Sequence, residues 1–348
     1  MSDLQELILQ STSKLLKENC TKELLDEVEA GKWPQDLWNT IVDSGLLQIG
    51  ISEENGGAGG DFSDAFHLFK LIGEYAVPLP IFETIFINWI ITKHGVKSLE
   101  SPSTFALGCE IEANFVDESL QINGELNNVP WANCCENLLI NIVNEENQLF
   151  ALIDREQYKV EKKRNLAGEP EDKVMLDNVL IPLKYVFQDE NELNDKFIEI
   201  GALAKSAMMS GALNKILELT IKHVKEREQF GRPLYKLQAI QQNIAILSGE
   251  TISANTITDY AIDSFNNVES IYNIGATKIV VNESANTVSE IAHQVHGAIG
   301  TTYEHPLHHF TRRLWTWRDQ FGNETYWAKC LATECNDLQK SLWSTITK

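Results

Sequence analysis

The stretch ALAKSAMMSGALNKILELTIKHVKEREQFG, Ala202 to Gly231, constrains the fold of this 348-residue chain more than any other part of it. Leu213, Leu217, Ile221 and Val224 step by four, four and three, which places them on one face of a helix. Ala207 and Gly211 interrupt that helix with side chains small enough for a second helix to approach closely. Two further helices are predicted downstream. One runs from about Leu237 to Asp263 and the other from about Ala276 to His296, the second with Val281, Ala285, Val288, Ala292 and Val295 in a stripe. Four long antiparallel helices in this region make a bundle, an architecture that can hold a cofactor between helices or between subunits.

The text before the bundle has two other characters. From Leu4 to about His94 it is helical and broken by turns. In KELLDEVEAGKWPQDLWNTIVDSGLL, Leu37, Trp38, Ile41 and Val42 fall on one face, and Pro34 sits where a helix can begin. The glycine-rich EENGGAGGDFSD follows, and its Asp61 to Asp64 can cap a helix running into FHLFKLIGEYA. Between about Pro102 and Val186 come short β-rich runs, STFALGCEI, LLINIVN and QLFALI, separated by the turn-like INGELNN and NEENQ. The expected fold is therefore α+β and mainly α. It comprises an N-terminal helical domain (1–100), a small middle β-barrel or sandwich of four to eight strands (101–188) and a C-terminal four-helix bundle (189–348).

Composition excludes several functions. Twenty-nine Lys and Arg against fifty Asp and Glu leave a net charge of −21, which repels polyanions, so nucleic acid is not an expected partner. No window reaches the roughly 18 uninterrupted apolar residues of a membrane span. The most apolar run, IFETIFINWIITKHG, carries Glu83 and Asn88 inside it. The start, SDLQELILQ, has neither a basic leader nor a small-residue cleavage site, so a cytoplasmic location is expected. The six cysteines contain no CxxC pair and read as reduced structural thiols. His305, His308 and His309 have no acidic or thiol partner spaced to complete a tetrahedral set, and no metal is expected.

Two stretches carry a family resemblance. REQFGRPLYKLQAIQ, Arg227 to Gln241, is similar to an R-x-x-F-G-x-x-[IL]-x-x-x-Q segment at the end of a long helix. QVHGAIGTTYEHPLHHFTRR, Gln294 to Arg313, is similar to Q-x-x-G-G-x-G-[FY]-x-x-x-x-P. In this order and spacing, with weaker echoes in ISEENGGAGGDFSD and NVPWANCCENLLI, the whole chain resembles the acyl-CoA dehydrogenase family of flavoproteins. The resemblance implies FAD as cofactor and α,β-dehydrogenation of an acyl thioester, carried by coenzyme A or a carrier protein. Electrons would pass to an acceptor flavoprotein. It assigns the FAD pyrophosphate to Arg227 with Gln229 and to close backbone approach at Gly297 and Ala298. Phe230 would meet the cofactor's apolar parts, Gln238 and Gln294 would offer amide hydrogen bonds, and Asn323 would lie near the flavin or adenine. In the family the second segment reaches the cofactor of a neighbouring subunit, which implies a homo- or hetero-oligomer.

The same resemblance exposes a gap. The family's chemistry needs a carboxylate to take a proton from the carbon beside the thioester. In most members it is the Glu of a Y-E-G-T segment. Aligning Gly322 in WRDQFGNETYW on the family's glycine puts Gln320 and Phe321 where Tyr and Glu would be. A minority of the family places the base at the start of the long helix, and that place falls on Gly201, followed by Ala202 where an Arg is often found. Asp319, Glu199 and Glu324 are the acids nearby. The β part is altered too, with no T-E-P-x-x-G-S-D-like stretch, and Val129 to Ala132, including Trp131, occupy the place of a W-I-T-N-like contact. Two readings follow: an active dehydrogenase with a displaced base, or a silent subunit that helps bind FAD in a mixed oligomer.

Overall fold

In the computed structural model, the described residues are 3–57, 59, 61–143, 148–188, 193–266 and 270–337. Their helices begin where local chemistry permits. After α1 (Asp3–Asn19) and α2 (Lys22–Glu29), α3 (Gln35–Asp43) starts directly behind Pro34 and buries Leu37, Trp38 and Ile41. Asp61 Oδ1 accepts the Ser63 N–H at 2.6 Å and Asp64 Oδ2 accepts the Asp61 N–H at 3.2 Å, so the expected acids cap α4 (Ser63–Glu74). The most apolar run forms α5 (Ile81–Lys93), buried on all sides. Its thirteen residues reach only about 20 Å, short of a bilayer core. Among the described residues no helix is long and apolar enough to cross a membrane.

Eight strands follow: β1 (Ser103–Cys109), β2 (Glu112–Val116), β3 (Ser119–Pro130), β4 (Asn137–Val143), β5 (Gln148–Asp154), β6 (Lys159–Glu161), β7 (Glu171–Pro182) and β8 (Val186–Gln188). They form two four-stranded sheets, β1-β4-β5-β8 and β2-β3-β7-β6, the first with a parallel β1–β4 pair and the second antiparallel throughout. Leu120, Ile122, Val174 and Ile181 of one sheet share a core with Leu138, Ile140, Ala151 and Ile153 of the other, a sandwich core. The reading of INGELNN as a turn is corrected here, because the segment lies inside β3. Gly124 (φ 150°) and Asn128 (φ 57°) sit at register shifts against β7, so these residues make irregularities within a strand instead of reversing it. NEENQ falls largely outside the described residues.

The remaining elements are α6 (Leu193–Glu226), β9 (Glu228–Gln229), β10 (Arg232–Pro233), α7 (Gln238–Asp263), α8 (Ser270–His296), α9 (Leu307–Asp319) and α10 (Glu324–Asp337). By contact density the chain forms two compact units: Glu23–Ala65 with Pro78–Phe197, which contains the sheets, and Met1–Lys22, Phe66–Val77 and Ile198–Lys348, which contains the long helices. In the helical unit, α4 and α6 meet through glycine. A Cβ on Gly73 would lie 1.7 Å from the Met208 carbonyl oxygen, and one on Gly211 would lie 1.8 Å from that of Lys70. Polar clasps join neighbouring helices: Ser210 donates to Asn255 Oδ1 (3.0 Å) and Ser284 to Glu250 Oε2 (2.8 Å). The stripe Val281, Ala285, Val288, Ala292 and Val295 is buried as expected. Helix α8, however, begins six residues before Ala276. Gly275 lies within it as a point of close approach, where a Cβ would come 2.9 Å from Trp327 Cε3 on α10.

Candidate functional site

Helix α6 ends in an exposed β-hairpin. Gln229 pairs with Arg232 across the two-residue turn Phe230–Gly231, whose φ values of 55° and 73° are both positive, as a type I′ turn requires. Phe230 stands at the tip, 81% exposed. The Arg227 N–H donates to His223 O (2.8 Å) and the Arg227 carbonyl accepts the Leu234 N–H (2.9 Å), which fixes where the hairpin leaves the helix. Beneath it Val224, Leu234 and Val295 form a small apolar core with Leu237, Ile240, Ile244 and Ile291. This core ties the ends of α6 and α8 together, so residues seventy positions apart face one another.

Between them lies a cleft of about 580 Å³ lined by His223, Glu226 and Arg227 of the α6 end, and by His296, Ala298, Ile299, Thr302 and Glu304 after α8. The structure thus brings Arg227 and Ala298 to one place. Gly297 adopts φ 64°, and among the described residues no atom outside its immediate neighbours comes within 4 Å of where its Cβ would be, so backbone is open to approach there. The Arg227 side chain is exposed and makes no ion pair among the described residues. Gln229 is exposed in the hairpin, Gln238 is exposed at the first position of α7, and Gln294 is exposed in the last turn of α8.

Three imidazoles share the cleft region, a grouping that sequence spacing did not indicate. The His296 ring stacks on His223 with centroids 4.4 Å apart and lies 4.7 Å from that of His305. His296 is buried, donates from Nδ1 to Ala292 O at 2.8 Å, and leaves Nε2 without a hydrogen-bond partner among the described residues. Burial lowers it to about 4, with the neighbouring histidines adding to that shift and the Ala292 bond opposing it, so it is neutral at physiological pH.

The two base positions of the sequence reading are also brought together. A Cβ at Gly201 would lie 2.1 Å from Phe321 Cδ1 and 2.4 Å from Cγ, so the phenyl ring occupies the space that a side chain at 201 would take. The loop that aims the ring there is held firmly. Phe321 (φ 56°) and Gly322 (φ 91°) are both left-handed, and the Trp327 indole N–H donates to Phe321 O at 3.0 Å. Fully buried Lys278 donates to the carbonyls of Trp317 (2.8 Å) and Arg318 (3.1 Å), closing the C-terminus of α9, and to Asn282 Oδ1 (3.2 Å). Burial, reinforced by the Lys205 charge, lowers Lys278 to about 7. Asp319 is exposed at the end of α9, and Glu199 is half-buried near the start of α6. Glu324 pairs with Arg318 (2.5 Å), and Asn323 caps α10 by accepting the Tyr326 N–H (3.1 Å). In the sheet unit, Trp131 is buried with φ 58° and donates its N–H to Pro170 O at 3.0 Å.

Comparison with known proteins bears on this arrangement. Residues 2–100 match the family model described as acyl-CoA dehydrogenase, N-terminal domain, and residues 194–323 match the one described as acyl-CoA dehydrogenase, C-terminal domain. The chain is 26% identical over 317 residues to acyl-CoA dehydrogenase IpdE2 of Mycolicibacterium smegmatis, covering 90% of this chain and 93% of that protein. Its fold is that of a chain in the ChsE4-ChsE5 complex from Mycobacterium tuberculosis (TM-score 0.87, 15% identity, 97% of this chain and 98% of that one). It is equally like glutaryl-coenzyme A dehydrogenase in its glutaryl-CoA complex (TM-score 0.86, 17% identity, 98% and 97% covered).

Proposed function

Because this chain belongs to the acyl-CoA dehydrogenase family, we propose that it acts as an FAD-dependent oxidoreductase on the Cα–Cβ bond of an acyl thioester of coenzyme A or a carrier protein. The observation that carries this reading is the cleft that joins Arg227 to Ala298. A guanidinium that makes no ion pair among the described residues, beside exposed backbone at Gly297, fits a pyrophosphate, which needs a fixed cation and backbone donors. Arg227 and Gln229 would hold that group. Gln238, Gln294 and Asn323 would supply amide contacts, and Phe230 an apolar face. When bound, FAD supplies the two-electron acceptor that oxidation of a carbon–carbon bond requires.

The proton side of the reaction falls to this chain or to a related one. Neither Phe321 nor Gly201 can accept a proton, and the ring of one fills the space of the other. Asp319 and Glu199 flank these positions and are the proposed displaced bases if the chain works alone. The Phe321–Gly201 packing specifically favours the second reading, in which this subunit completes an FAD site while a related chain in a hetero-oligomer brings the carboxylate. An exposed aromatic at the hairpin tip suits either assembly, since a subunit interface would cover Phe230. An electron-transfer flavoprotein is the proposed acceptor.

A cytoplasmic location goes with this function. Cys20, Cys109, Cys134, Cys135 and Cys330 are free thiols, as a reducing compartment maintains them. Burial pushes Cys20 and Cys109 up to about 12, which keeps them protonated and unreactive.

The test is the visible spectrum of the purified chain, recorded again after a panel of acyl-CoA thioesters is added without oxygen. A flavin band that bleaches supports an enzyme complete in itself. A flavin band that no thioester bleaches supports the silent subunit, and a chain that binds no flavin in any assembly refutes both.

A further inference from the structure

The histidine trio beside Arg227 has no role in the function above, and its chemistry goes further than that of the guanidinium alone. Fixed charges in and around the cleft nearly cancel: Arg227 and Lys222 stand against Glu226 and Glu304, within a chain of net charge −21. An entering phosphate therefore meets little net attraction unless a neutral group gains a proton as it arrives. Three imidazoles are placed to do so, and their hydrogen bonds tell them apart. His296 has committed its Nδ1–H to Ala292 O, and His305 Nδ1 accepts the Leu307 N–H at 3.2 Å. His223 makes no ring hydrogen bond among the described residues, lines the cleft, and sits one helical turn before Arg227.

We propose that His223 is a second anion-binding residue of the Arg227 cleft, and that it takes up a proton as the phosphate of a nucleotide ligand binds. This inference rests on the reading of the cleft as a pyrophosphate site. Burial first, and then the Arg227 charge, hold His223 below the ordinary imidazole value, with Glu226 pulling the other way. A phosphate on Arg227 offsets that charge and offers an acceptor to His223, so the pKa rises on binding and a proton is taken from solvent. The neutral His296 ring stacked on His223 gives the new imidazolium a π face to lie on. The other groups facing the trio are the Lys222 cation and the His308 ring, which act on His305, and the His293 ring, which acts on His296. All of these oppose a second protonation, which confines uptake to one site.

The experiment is titration calorimetry of the full chain, freed of bound nucleotide, with ADP as the probe, in two buffers of different ionisation enthalpy near neutral pH. The expected result is net proton uptake approaching one per ADP bound, with Kd weakening by up to about tenfold per pH unit as pH rises through the bound-state pKa. His223→Gln should abolish the uptake and flatten the pH profile while ADP still binds, and His305→Gln should preserve both. ADP binding without uptake in the wild type, or uptake that persists in His223→Gln, overturns the role of His223 and leaves the pyrophosphate reading standing. If ADP fails to bind at any pH, to this chain and to Arg227→Ala alike, that reading and this inference both fall.

Discussion

Gly201→Ala adds one methyl group at the place where the two base positions meet, and its cost can be worked out. The new Cβ would lie 2.1, 2.3 and 2.4 Å from three carbons of the Phe321 ring, where ordinary carbon contacts are about 3.5–4.0 Å. One of the three is Cγ, at the root of the ring, so a spin about χ2 does not clear the clash. Moving the whole side chain means moving a left-handed backbone held by the Trp327 indole. Overpacking of this kind costs about 1–3 kcal/mol. Replacing glycine by alanine inside a helix returns about 1 kcal/mol. The net effect in the wild type is thus a loss of about 0–2 kcal/mol, whereas in a Phe321→Ala background the clash is gone and the same change should stabilise by about 1 kcal/mol. Urea denaturation of the four proteins of this cycle, compared at a common m-value, should yield a coupling of about 1–3 kcal/mol. Additivity within about 0.5 kcal/mol would show that the ring does not fill the space at Gly201.

The remaining tests are briefer. Arg227→Ala should lose bound flavin while far-UV circular dichroism is unchanged, and full flavin occupancy in the variant would remove Arg227 from the site. If Asp319 is the displaced base, Asp319→Asn abolishes flavin bleaching by thioester without weakening thioester binding; unchanged bleaching makes Asp319 an ordinary acid at a helix end. Lys278 is lowered to about 7 by burial, against about 10.5 in the unfolded chain, so between these values the unfolded state binds the extra proton and stability rises with pH. Below about 7 both states are charged and the burial cost is fully present; above about 10.5 both are neutral and it has gone. Denaturation midpoints should show this contribution, at most about 1.4 kcal/mol per pH unit, in the wild type and not in Lys278→Met. A variant with the same pH slope would mean that Lys278 does not titrate in that window.

What could be read from the sequence followed the range of the forces involved. The stripe from Val281 to Val295 and the face of Leu37, Trp38 and Ile41 were legible because helical periodicity is local and burial follows it directly. INGELNN misled because glycine and asparagine serve two ends. They reverse a chain, or they admit a strand irregularity or a close helix contact, and only the tertiary partner decides which. In the site, motif spacing singles out Arg227 and Ala298, and the fold joins them in one cleft. It could not single out His223, whose meaning depends on His296, seventy-three positions away along the chain and 4.4 Å away in space.

The gap at the base shows most clearly why sequence alone stopped short. Read separately, Phe321 and Gly201 are two losses, each of which another residue could make good. Read together in space they are one event. A phenyl ring at 321 demands the absence of a Cβ at 201, so the second position cannot compensate for the first while the ring remains. At these two positions a carboxylate could return only where the phenyl group leaves, by Phe321→Glu; otherwise it must come from a flanking acid such as Asp319 or Glu199, or from another chain. The packing of these two residues therefore closes position 201 as long as the ring stays, and leaves a flanking acid or a partner chain as the two sources of the carboxylate, which Asp319→Asn and the bleaching of the flavin by thioesters tell apart.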